Sequence, residues 1–91
     1  MEHSYSDEVT IKNSLGLHAR PATQLVKLAA NFDAEIFFEK DGETVNGKSL
    51  MGLLMLSANC GSVLKVTATG KDGKEALEAI VDLVNQKFDE E

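Results

Sequence analysis

Val9-Thr10-Ile11-Lys12-Asn13-Ser14-Leu15-Gly16-Leu17-His18-Ala19-Arg20-Pro21-Ala22 opens the stretch that decides the fold, which runs on to Asn31. Val9 and Ile11 alternate with Thr10 and Lys12, the two-residue period of a half-buried strand. Beyond Ala19 the period changes. Ala22, Leu25, Val26 and Ala29 fall at i, i+3, i+4 and i+7, which predicts an amphipathic helix over 19–31.

Working outward, residues 34–39 (Ala-Glu-Ile-Phe-Phe-Glu) return to a strand, and Asp41-Gly42 suits the positive φ angles of a tight hairpin turn. Thr44-Val45-Asn46 is the returning strand. Ser49 can cap a short helix over 50–56, which Gly52 weakens by about 1 kcal/mol relative to alanine. A further strand over 62–69 points Leu64, Val66 and Ala68 inward. Asp72 and Glu75 have capping-box spacing before a last helix with Leu77, Ile80, Val81, Val84 and Phe88 on one face. Asp89-Glu90-Glu91 reads as a frayed acidic end, and His3 as part of a loose N-terminal tail. The order β-α-β-β-α-β-α indicates α+β, with helices on one face of a mainly antiparallel sheet. A ferredoxin-like fold begins with the same elements, and periodicity alone does not separate the two.

The 91 residues are expected to form a single domain over 1–91. A chain this size buries roughly 60–65% of its unfolded surface, so function belongs at the surface rather than in a deep cleft. Nine basic and fifteen acidic residues give a net charge of −6, which argues against nucleic acid or an anionic membrane surface as partner. No apolar run is long enough for a transmembrane helix, and the N-terminus lacks the basic and apolar segments of a secretory signal. Cys60 has no intrachain disulfide partner and is expected to pack rather than react, so a cytoplasmic location is expected. His3, His18 and Cys60 show no metal-ligand spacing, so neither a metal nor another cofactor is expected.

The chemistry concentrates where the first strand meets the first helix. Gly16 permits a sharp turn, His18 enters the helix, and Pro21 falls in the first turn, where a missing N–H costs little. The free N–H groups of Ala19 and Arg20 can point at an anion, which the helix dipole favours by roughly 0.3–1 kcal/mol. The Arg20 guanidinium adds a permanent cation with donors suited to phosphate. No Asp or Glu lies between Val9 and Phe32. Two readings of His18 follow: a polar helix cap, or a nucleophile whose neutral imidazole carries a lone pair without help from a strong base.

Gly16-Leu17-His18-Ala19-Arg20-Pro21-Ala22 resembles the active-site signature of HPr, the phosphocarrier family of the bacterial phosphoenolpyruvate-dependent phosphotransferase system. Lys48-Ser49-Leu50-Met51-Gly52 resembles that family's regulatory serine region, and the resemblance extends over essentially the whole chain. It implies an open-faced β-sandwich with four antiparallel strands and three helices on one side. It also implies that His18 takes a phosphoryl group from phospho-Enzyme I, on Nδ1, and gives it to an Enzyme IIA component. Arg20 then orients the phosphate, while Leu17, Lys27, Leu50, Met51 and Leu54 correspond to positions that meet partners. Ser49 becomes a target of an HPr kinase/phosphorylase, and a monomer is expected. Leu53-Leu54-Met55-Leu56, Ala68-Thr69-Gly70 and the terminal Phe88-Asp89-Glu90-Glu91 look more like the nitrogen-branch carrier NPr, so sugar uptake and nitrogen regulation both stay open.

The physical alternatives stand beside these expectations. The run 50–56 is too apolar for every side of a short helix to be buried in so small a core, yet it could be core throughout. Ser49 can cap a helix whether or not it is modified. A regulatory module that docks partners without phosphate on His18 is the competing function. An independent hydrolase finds no nucleophile–base–acid constellation in the chain.

Overall fold

The computed structural model describes residues 3–90; Met1, Glu2 and Glu91, and the tail readings that fall on them, lie outside the described residues. The elements are β1 (Ser4–Thr10), α1 (Ala19–Ala29), β2 (Glu35–Lys40), β3 (Glu43–Asn46), α2 (Leu50–Met55), β4 (Val63–Thr69) and α3 (Gly73–Asn85). This is the expected β-α-β-β-α-β-α order. The strands form one antiparallel sheet in the order β1-β4-β2-β3.

Register follows from which side chains must leave water. Val9 lies opposite Leu64, Ile36 opposite Ala68, and Phe38 opposite Val66, and all six are buried. A slip of one residue would turn this apolar row to the open face, so the register is strongly specified. Ala22, Leu25 and Ala29 of α1, Leu53 of α2, and Ala76, Ile80 and Val84 of α3 complete the core. The opposite sheet face carries Phe37 and Val63, both exposed. Asp41 and Gly42, with φ of 53° and 83°, turn the β2–β3 hairpin as their sequence predicts.

Five local expectations need correction. Cys60, expected to pack, is exposed. β1 starts at Ser4, and the His3 carbonyl accepts from Gly70 N–H at 3.1 Å, so this end is an edge strand rather than a tail. Asp72 stands at the N-cap of α3 but its side chain caps nothing, because its Oδ2 accepts from the Asp33 N–H at 2.8 Å. Phe88 is fully buried, but from beyond α3, which ends at Asn85. The acidic end, as far as Glu90, is folded back: Lys87, Phe88 and Asp89 have φ of 57°, 55° and 59° and form one 3-10 turn of left-handed sense.

Candidate functional site

The loop between β1 and α1 is held from two sides. Asn13 O accepts from Gly16 N–H at 3.1 Å, closing a turn, and Leu17 N–H donates to Ala58 O at 2.8 Å. Gly16 adopts φ 72°, and a Cβ there would lie 2.8 Å from the Ala58 carbonyl oxygen. Only glycine supplies both the left-handed backbone and the close approach. The loop therefore delivers His18 in a fixed place, at the N-cap of α1.

His18 has extended backbone angles and makes no side-chain cap, so its imidazole is left for other work. Its side chain is 35% exposed. The amides of Ala19 and Arg20 precede the first helical hydrogen bond, from Ala22 N–H to His18 O at 3.0 Å. With Ser14, Leu15, Arg20 and Glu90, His18 lines an open cleft of about 440 Å³. The helix start and the Arg20 guanidinium suit this cleft to an anion, and the imidazole offers it a nucleophile.

Glu90 is the residue that sequence reasoning missed. Its Oε2 lies 3.0 Å from His18 Nε2 and 3.3 Å from Arg20 Nη1, while its Oε1 accepts from Asn13 Nδ2 at 3.0 Å. Burial alone would raise the pKa of this carboxyl. Hydrogen bonds from Asn13 and His18, together with the charges of His18 and Arg20, outweigh that effect and hold it below its usual range. The surface expected to be free of acids thus contains the Glu90 carboxylate, brought from a position 72 residues along the chain.

Asn13 is fully buried and also donates Nδ2 to Gly16 O at 2.7 Å. Among the described residues its Oδ1 has no partner, a cost of about 1–3 kcal/mol for a buried acceptor. Turning the amide over would set its oxygen against two other acceptors, so the orphan is the cheaper arrangement. The turn that presents Glu90 is also strained. Left-handed backbone costs roughly 1–2 kcal/mol per non-glycine residue, and burial of the Phe88 ring offsets part of this. Gln24 Nε2 donates to Phe88 O at 3.4 Å and ties the turn to α1.

The remaining expected residues fall in different places. Ser49 caps α2, its Oγ accepting from Gly52 N–H at 3.0 Å. Leu50, Met51, Leu54 and Met55 are exposed, with Met51 at 69%, while Leu53 and Leu56 are buried. The run 50–56 is therefore not core throughout. Leu17 is only 6% exposed and belongs to the core, because its backbone pairing with Ala58 turns the side chain inward. Leu15, 72% exposed, presents the apolar surface beside His18 instead. Lys27 is exposed on α1 and lines a separate groove with Asn31 and Asp82. Among the described residues no group of three or more His, Cys, Asp or Glu is arranged for a metal, and no helix is long and apolar enough to cross a membrane.

Residues 5–86 match the family model described as the PTS HPr component phosphorylation site. The chain is 47% identical over 83 residues to phosphocarrier protein NPr of Shewanella violacea, covering 91% of each. It is 43% identical over 82 residues to phosphocarrier protein HPr of Neisseria meningitidis serogroup A, covering 90% of this chain and 92% of that one. Among solved structures it is similar to HPr-C-His of Thermoanaerobacter tengcongensis, with a TM-score of 0.93, 46% identity and coverage of 96% and 98%.

Proposed function

The chain belongs to the HPr family of the phosphotransferase system, whose members carry phosphoryl groups rather than catalyse a turnover of their own, and on that premise we propose that His18 is the carrier residue. His18 accepts a phosphoryl group from phospho-Enzyme I and passes it to an Enzyme IIA component. The observation that carries this reading is the imidazole at the start of α1, which caps no backbone amide and stands beside Arg20 in an open cleft. A protein acceptor or donor can reach a half-exposed side chain, as a transfer between two macromolecules requires. Arg20 and the amides of Ala19 and Arg20 balance the phosphate charge.

Partner docking rests on the exposed apolar side chains Leu15, Leu50, Met51 and Leu54, with Lys27 meeting acidic partner surfaces. Leu17 contributes by holding the loop, not by contact. Phosphorylation of Ser49 by a kinase/phosphorylase would place negative charge at the rim of that surface and slow transfer to His18.

The test is intact mass after incubation with Enzyme I and phosphoenolpyruvate, with His18→Ala in parallel. The reading expects one acid-labile phosphoryl group on wild type and none on the variant. Unchanged labelling of His18→Ala would remove His18 from the role. The exposed α2 surface also supports a regulatory docking module, and partner binding that needs no phosphate and survives His18→Ala would favour it.

A further inference from the structure

We propose that Glu90 is a positioning residue for phosphoryl transfer: it keeps a proton on Nε2 of His18, so that Nδ1 attacks and the imidazole later departs as a neutral ring. This rests on the carrier reading above. Glu90 lies beyond residues 5–86, the part matched by the family model.

The argument begins from the 3.0 Å contact between Glu90 Oε2 and His18 Nε2. An ionised carboxylate offers only acceptors, and two lone pairs at that distance would repel, so the proton between them belongs to Nε2. A neutral imidazole has one such proton. Nδ1 then holds the lone pair and remains free to react. The carboxylate is in turn fixed by donors alone: Asn13 Nδ2 at 3.0 Å on one oxygen and Arg20 Nη1 at 3.3 Å on the other. Asn13 Nδ2 serves both Glu90 and Gly16 O, while its own buried Oδ1 has no partner among the described residues. The strained turn at Lys87–Asp89, anchored by Phe88, has the same outcome, since it sets this carboxylate against the ring.

The step balances as follows. The Nδ1 lone pair forms the N–P bond as phosphorus separates from the donor protein, which keeps the electron pair of the broken bond. No proton leaves the ring. His18, now phosphorylated on Nδ1 and protonated on Nε2, carries a positive ring charge that the Glu90 carboxylate balances. Onward transfer reverses the sequence, and the N–P pair returns to a ring that is neutral because Nε2 has kept its proton. Without that proton the leaving group would be an imidazolate anion, a far poorer one.

The ring 15N shifts of His18 would be recorded at about pH 8.5, above the ordinary histidine range, in wild type, Glu90→Gln and Glu90→Ala. Phosphorylation by Enzyme I and donation to Enzyme IIA would be timed on the same samples. Wild type should show the proton on Nε2, and Glu90→Ala a mixture of tautomers. Both transfer rates should fall on the order of 10–100-fold in the alanine variant, as when imidazole ligands lose an orienting partner, with KM for Enzyme I held. Glu90→Gln keeps the shape without the charge and should also be slow. A wild-type proton on Nδ1, or Glu90→Ala matching wild type in ring shifts and rates while both are labelled, would overturn the assignment alone. Absence of label on wild type, with Enzyme I active on another carrier, would overturn the carrier reading with it.

Discussion

Gly16 runs so close to Ala58 that a single added Cβ would lie 2.8 Å from the Ala58 carbonyl oxygen, the same oxygen that accepts the Leu17 N–H. The loop bearing His18 and the loop after α2 therefore share one contact that tolerates no side chain. Gly16→Ala must either break it or force alanine into φ near 72°. The expected loss is about 1–3 kcal/mol in urea unfolding, with slower labelling of His18. Wild-type stability and labelling would refute this.

Ser49 separates capping from charge. Ser49→Ala removes the acceptor for Gly52 N–H and should cost about 1 kcal/mol, with labelling of His18 little changed. Ser49→Asp keeps a good cap but adds charge at the α2 surface, and should slow acceptance from Enzyme I. Equal rates for Ser49→Asp and wild type would exclude control through that charge.

Phe88 anchors the turn that presents Glu90. Phe88→Ala should cost roughly 3–5 kcal/mol by emptying a fully buried site. It should also free the Glu90 carboxylate from Asn13, so that the Asn13 side-chain amide signals of the folded variant move toward exposed values. If those signals stay in place, the turn does not depend on the ring.

The carboxyl of Glu90, held below its usual range, makes the turn sensitive to acid. A depressed folded value means stabilisation that is complete above the unfolded value and disappears as pH falls through the folded one. The groups facing it are the His18 ring, the Arg20 guanidinium and the Asn13 amide. Carboxyl 13C titration should give Glu90 a midpoint below that of an unstructured glutamate, with local release of residues 87–90 on the acid side. A midpoint at or above the unstructured one would contradict the geometry.

Met51 tests docking with little risk to the fold, since it is 69% exposed. Met51→Asp should leave stability within about 0.5 kcal/mol of wild type. It should raise KM for Enzyme I by roughly tenfold, the equivalent of about 1.4 kcal/mol of binding. An unchanged KM would move the docking surface elsewhere.

What could be read in the chain divides by sequence distance. Leu64, Val66 and Ala68 announce β4, and Ala22, Leu25 and Ala29 announce α1, because period alone encodes which face is buried. Ser49 and Asp41-Gly42 carry their turn chemistry within a few residues. Glu90 gave no such sign: its place depends on a left-handed turn that no propensity favours and on a partner 72 residues away. Asn13 had a weak one, its spacing from Gly16 being that of a turn. Leu17 shows the ambiguity of an apolar residue next to the proposed carrier His18, where the backbone pairing with Ala58 decides between core and surface.

The sheet order β1-β4-β2-β3 also fixes when this protein can exist during its own synthesis. β4 is the last strand to be made, yet it lies between β1 and β2 and hydrogen-bonds both. Until it emerges from the ribosome, β1 has no neighbour and the β2–β3 hairpin stands alone, an arrangement too small to be stable in water. The nascent chain therefore cannot fold piecemeal from its N-terminus. It must wait for β4 and then join distant segments in one cooperative, comparatively slow event.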